Sequence, residues 1–165
     1  MSRHTTDSRI DAPASPAFRD LSAEECQTML SRHHVGRLAY TFRGRVSIAP
    51  LNYVYADGLL YGRTSPGSKL ATLAHHPWVA LEVDEVEDVF SWRSVMARGT
   101  FYRVERIGGP AARRSWHRAV ELLDGIIPGT LTSSDPVPFR YVVFYIAVDE
   151  LTGREAFARA VGPPG

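Results

Sequence analysis

Between residues 35 and 64 the chain runs through three strand-like segments with only two short turns between them. VGRLAYTF (35–42) and VSIAPLNYVY (46–55) flank Arg43-Gly44-Arg45, and Ala56-Asp57-Gly58 leads on into LLYGRT (59–64). Strands joined by so few residues can only be antiparallel neighbours, because a parallel pair needs a crossover of about a dozen residues or more. This meander argues against a parallel dinucleotide-binding sheet. Further runs of the same kind are WVALEVDE (78–85), FSWRSVMARGTFYRVE (90–105) and FRYVVFYIAVDEL (139–151). The last is apolar on both faces in its middle, as a strand covered on both sides must be. Six strands, nearly all antiparallel to their sequence neighbours, leave no exposed edges only if they close, so the expected fold is a mainly β, six-stranded barrel.

Three helices punctuate the strands. LSAEECQTMLSRH carries Ser22 and Glu25 at capping-box spacing, with Cys26, Met29 and Leu30 on one face. Cys26 is thus expected to pack as a small apolar residue and not to act as a nucleophile. SKLATLAHH (68–76) stops at Pro77, and Gly108-Gly109-Pro110 opens a third helix whose Trp116, Ala119, Val120 and Leu123 share a face. One domain is expected over 19–158, with a flexible tail at 1–18 and a short one at 159–165.

Composition removes several classes of function. The formal net charge is +1, without the basic stripe of a dedicated nucleic-acid surface, which disfavours an oligonucleotide-binding barrel. A single cysteine allows no intrachain disulfide, and the N-terminus has no apolar signal core, so a cytoplasmic protein is expected. No apolar run is long enough to span a bilayer. His33-His34 and His75-His76 are adjacent pairs, which diverge on a helix and chelate one metal poorly, so no metal site is expected. The acidic stretch EVDEVEDVF (82–90) lacks calcium-loop spacing and reads as a solvated turn.

Two oddities point to a ligand. RTSPGSKL (63–70) brings a cation, two hydroxyls, a Pro-Gly turn and a helix start to one place. A helix N-terminus offers unpaired N–H groups to an anion, with Arg63, Thr64, Ser68 and Lys69 around it. The same spacing also fits a plain cap at Ser68 with both cations solvated. The second oddity is Pro50, which removes a ladder donor inside a strand, with Asn52 two residues on and on the same face. Freed backbone groups beside an amide side chain suit a flat, hydrogen-bonding heterocycle; an empty edge-strand bulge is the alternative.

Taken in order, VGRLA, P-x-N-Y-V-Y, D-G-x-L-Y, G-S-K-L, V-A-L-E-V-D, W-R-S-V-M-A-R-G (92–99) and L-T-G-R (151–154) resemble the pyridoxamine-phosphate-oxidase-like FMN-binding split-barrel superfamily. The likeness is strongest to the small flavin-binding proteins related to nitroimidazole-resistance proteins and spans roughly residues 21–155. It implies a Greek-key barrel and a homodimer with FMN between the subunits. By resemblance, Arg63, Thr64, Ser68 and Lys69 hold the phosphate. Ser47, Ala49, Pro50, Leu51 and Asn52 lie along the isoalloxazine ring, and Trp92, Ser94 and Val95 reach it from the partner. The family also has members that use a deazaflavin coenzyme or haem.

The arginine-histidine substrate motif of true pyridoxamine phosphate oxidases is absent, which argues against oxidation of a vitamin phosphate. The expected activity is an oxidoreductase acting on a small organic acceptor, nitro-aromatic or quinone-like. The alternative is a non-catalytic flavin- or haem-binding protein. No side chain stands out as a catalytic acid or base.

Overall fold

In the computed structural model, which describes residues 15–159, the elements are β1 (Pro16–Asp20), α1 (Ala23–Arg32), β2 (Val35–Phe42), β3 (Arg45–Ala56), β4 (Leu59–Thr64), α2 (Ser68–His75), β5 (Trp78–Asp88), β6 (Ser91–Arg103), α3 (Pro110–Asp124) and β7 (Val142–Ala158). The turns of the meander have the predicted chemistry. Arg43-Gly44 and Asp57-Gly58 all have positive φ, the two-residue geometry that matches the twist of flanking strands. Side by side the strands run β7-β4-β3-β2-β5-β6, and β6 pairs again with β7, so six strands close into a barrel. β5 returns to lie beside β2, which makes β2 to β5 a Greek key.

Two features exceed the expectation. The segment Pro16–Asp20, of which 16–18 were assigned to the tail, forms β1 against Arg154–Ala158. β7 itself runs seven residues past Leu151. Thr152-Gly153 looks like a turn in sequence, but the glycine serves close packing. A Cβ at Gly153 would lie 2.7 Å from Cys26 Sγ and 2.9 Å from Leu21 Cδ1, so its absence lets α1 press against the strand. α1 starts as predicted: Glu25 N–H donates to Ser22 Oγ, and Ser22 N–H donates to the Glu25 carboxylate at 2.8 Å. The acidic stretch expected as a turn is strand as far as Asp88.

Two apolar clusters lie on opposite sides of β7. Phe144 and Ile146 point into the barrel with Leu38, Tyr53, Leu60, Leu81 and Val95. Val143 and Tyr145 point outward, under Trp116, Ala119 and Leu123 of α3. This two-sided burial is why the middle of β7 carries no polar residue. Cutting one such buried side chain back to alanine costs about 2–5 kcal/mol.

The barrel is open along one seam. β3 pairs with β2 from Arg45 to Asn52, but it reaches β4 only through Tyr53–Ala56. Past Gly62, β4 stays with β7 and turns away from β3. α2 caps this end of the barrel, with Leu73 buried in the interior cluster.

Candidate functional site

The seam leaves a row of backbone groups without strand partners. Tyr53 N–H donates to the carbonyl of His34, just before β2, at 3.0 Å. Hydrogen-bonding direction alternates along a strand, so Leu51, Ala49 and Ser47 face β2 as well, while Ile48, Pro50 and Asn52 face the open side. Pro50 therefore sits where its missing N–H breaks no ladder bond. The N–H groups of Ile48 and Asn52 and the carbonyls of all three remain directed at the seam. Such an alternation of donors and acceptors fits the edge of a flat heterocycle.

Side chains divide differently. Pro50 is exposed and Asn52 half-buried on the outer face, whereas Leu51 is buried in the barrel core and can offer a ligand only its backbone. Ser47 and Ala49 are half-buried on the inner side. Val95 is wholly buried in the same core and, like Leu51, can offer a ligand only its backbone. Trp92 and Ser94 do lie on the outer face of β6. Trp92 tilts against Phe18 at 6.3 Å, and Ser94 Oγ donates to Glu82 at 2.8 Å. β2 and β5 separate them from β3, so one chain does not bring them to the seam.

At the end of the seam stands the stretch RTSPGSKL, and here the structure corrects the sequence. Arg63 is 3% exposed. Its Nη2 donates to Asp135 Oδ1 at 3.0 Å and its Nη1 to Oδ2, while Nε has no partner. The Arg63 guanidinium, aided by the backbone N–H donors of Val137 and Leu131 and opposed by burial, holds the Asp135 carboxyl well below the usual carboxylate range. The charge expected on a phosphate is neutralised within the fold. Arg63 instead clasps the 128–141 loop to β4. Thr64 is likewise buried.

The other half of the stretch remains free. The N-cap of α2 is Gly67, at φ 155° and ψ −174°, a conformation open essentially only to glycine. No side chain caps this helix, so Ser68 is not its cap and the first N–H groups lack a side-chain acceptor. Lys69 is half-buried with Nζ 5.8 Å from the centre of the Tyr40 ring. Burial, and secondarily the nearby Arg140 charge, push its pKa down. Among the described residues neither Lys69 nor Arg140 has a carboxylate within salt-bridge distance. Arg140 lies close enough for its charge to act on Lys69, and such an arrangement suits an anion. Arg140, from the loop before β7, was invisible in sequence, since no local pattern links it to α2.

Beyond the seam, the outer sheet face carries Val35, Val46 and Ile48 at 60–76% exposure, beside a polar patch in which Arg37 bonds Glu82 and Asp84. His33 Nε2 lies within hydrogen-bond distance of Glu85 Oε1, at 2.6 Å, and His75 and His76 are exposed at the end of α2. Among the described residues no three His, Cys, Asp or Glu side chains converge on a metal-sized site. No helix among them is long and apolar enough to cross a membrane.

Comparison with known proteins gives a consistent picture. Residues 22–155 match the family model described as pyridoxamine 5'-phosphate oxidase. A crystal structure of a FAD-binding protein from Mesorhizobium loti is 32% identical, with a TM-score of 0.63, over 84% of this chain and 97% of that one. The FAD-binding protein of Mycobacterium smegmatis is 27% identical, with a TM-score of 0.59, over 84% and 99%. An uncharacterized protein of Rhizobium meliloti is 28% identical over 85% of this chain and 96% of its own length.

Proposed function

Because the chain belongs to the pyridoxamine 5'-phosphate oxidase family, we propose that it binds the riboflavin 5'-phosphate unit of a flavin, FMN in the simplest case, in the open seam and works as a flavin-dependent oxidoreductase. The observation that carries this reading is the continuity of the seam. The unpaired groups of Ile48, Pro50 and Asn52 run along β3, and the uncapped start of α2 lies at the same open end with Lys69 and Arg140 beside it. The ring's polar edge would meet the strand, with Asn52 supplying an amide alongside. Ser68, Lys69, Arg140 and the first N–H groups of α2 would hold the phosphate. Arg63 would act indirectly, by fixing the loop that carries Arg140.

When bound, the flavin supplies the electron transfer to a small organic acceptor, such as a nitro-aromatic or quinone. The protein binds the ring, orients it and shields one face. Two relatives above 25% identity are named for FAD binding, which supports a flavin.

We place the second wall of the site on a second copy of the chain. The exposed Val35, Val46 and Ile48 form an apolar stripe next to Pro50, and Trp92 and Ser94 on the same outer face would approach the partner's seam. Sedimentation at micromolar concentration is expected to give twice 18.3 kDa. Ile48→Glu should yield a monomer that has lost flavin. A monomeric wild type would refute the shared site.

The direct test of cofactor is the absorbance spectrum of the purified protein, before and after incubation with FMN. Flavin bands that sharpen and shift on binding are expected. A haem Soret band, a deazaflavin spectrum, or no binding of FMN would overturn the assignment. Turnover of a reduced nicotinamide with a quinone then separates an enzyme from a flavin carrier.

A further inference from the structure

We infer that the cavity between α3 and the 128–141 loop is a binding site for a small aromatic carboxylate, separate from the seam. The cavity is about 570 Å³, within the roughly 300–1,000 Å³ that small-molecule sites occupy. Its floor is the point where β6 runs out against β7. There Val104 N–H, one residue past the end of β6, donates to the Val143 carbonyl at 2.9 Å. In the strand order β7-β4-β3, β4 stands between this floor and the seam. None of Ile48, Pro50, Asn52, Ser68, Lys69 and Arg140 lines the cavity, so the inference does not rest on the flavin reading.

The walls set the class of ligand. α3 presents Trp116 and Val120, both half-buried, and the loop opposite presents Leu131, Pro138 and Tyr141. Aromatic and aliphatic side chains on both sides of one space favour a flat apolar body. The two threonines in the lining spend their protons inside the loop: Thr130 Oγ1 donates to the Ile127 carbonyl at 2.6 Å and Thr132 Oγ1 to that of Gly129 at 2.7 Å. They leave no hydroxyl donor for a sugar or polyol.

Charge adds a preference of sign. Both carboxylates in the lining are already taken. Asp135 accepts from Arg63, from Leu131 N–H at 2.7 Å and from Val137 N–H at 2.9 Å. Glu105 Oε1 lies 3.3 Å from Arg103 Nε. Arg106, also in the lining, has no carboxylate within salt-bridge distance among the described residues. The cavity therefore carries one cation in excess, and a guanidinium fork matches a carboxylate through two hydrogen bonds. An aromatic ring with a single carboxylate satisfies both the walls and the charge.

Titration of the protein as purified with naphthoate, followed by proton–nitrogen correlation spectra, tests this. The acid is expected to bind with a dissociation constant on the order of 0.1–1 mM, the range open to a ligand of about a dozen heavy atoms. It should move the Trp116 indole signal together with the amides of Leu131 and Thr132. Its uncharged counterpart, naphthamide, should bind about tenfold more weakly, the worth of one charge-assisted hydrogen bond. Arg106→Gln should bring the acid down to the level of the amide, while Lys69→Ala changes neither and added FMN does not compete. No shift at millimolar acid, or equal affinity for acid and amide, would overturn the site. Loss of binding in Lys69→Ala with Arg106→Gln unaffected, or displacement of the acid by FMN, would place it at the start of α2 or in the seam and overturn it as well. A failure of FMN to bind at all would sink the flavin reading and leave this site standing.

Discussion

Arg63 and Lys69 belong to one stretch of eight residues, and their surroundings are opposite. Arg63 leaves β4 toward the outside of the barrel, where α3 and the 128–141 loop cover it, and it meets a carboxylate that accepts both its terminal nitrogens. Lys69 rises from the first turn of α2 against an aromatic ring, partly desolvated, with the charge of Arg140 acting on it. A buried charge persists only when paired, so the first cation is structural. A half-buried cation beside a like charge is held at some disadvantage until an anion arrives, which is the property of a binding group.

The largest expected effect comes from the structural member. Arg63→Leu leaves Asp135 buried without its partner and should lower the melting temperature by on the order of 10 °C. Flavin should be lost only in step with the fold, and Arg63→Leu with Asp135→Leu should recover most of the stability. A single variant that melts like wild type would erase the distinction. Next is Lys69→Ala, which should weaken FMN or FAD by roughly ten- to a hundredfold, since a charge-assisted hydrogen bond is lost. Its melting curve without ligand should not move, and riboflavin, which lacks the phosphate, should bind as before. Equal losses for riboflavin and FMN would mean that Lys69 supports the ring or the fold.

The two groups should also part company with pH. The folded pKa of Asp135 is depressed, so its contribution is complete above the ordinary value near 3.8 and fades as the solution is acidified below that. In the double leucine variant this part of the acid transition should disappear from the pH dependence of unfolding. Lys69 has a folded pKa lowered from 10.5, so the unfolded chain binds the extra proton there and unliganded stability rises slightly as pH climbs through that window. Flavin-phosphate affinity should fall over the same window as the ammonium loses its charge. Lys69→Arg should abolish the fall, while riboflavin shows none. The smallest effect is that of Arg140→Ala, a roughly two- to fivefold loss of FMN with no change for riboflavin, because Arg140 stands on the loop before β7 and not on the helix turn that would meet the phosphate.

The legible parts of the fold were those with local causes. Ser22 and Glu25 mark the start of α1 because a capping box closes within four residues. Asp57-Gly58 and Arg43-Gly44 commit the meander because each tip has a glycine that tolerates positive φ, with Asp57 also suited to it. Pro50 announced an unpaired edge, and the phase of the β2 ladder puts it on the open side. β1 was hidden, because Pro-Ala-Phe-Arg-Asp has no strand periodicity of its own and depends on the far half of β7 to pair with it. The extension of β7 was hidden for the related reason that Gly153 mimics a turn until α1 is packed over it.

The candidate site divides along the same line. Sequence alone determined the class of fold, the break at Pro50 and the helix start after Gly67, since each follows from the dihedral and hydrogen-bonding limits of a few neighbouring residues. Which cation is available was decided only by tertiary structure. Asp135 lies 72 residues from Arg63, and Arg140 lies 71 from Lys69, so no local pattern joins either pair. Burial and charge pairing are set by what the folded chain brings across such distances, and they turn one arginine into a clasp and leave one lysine free to bind.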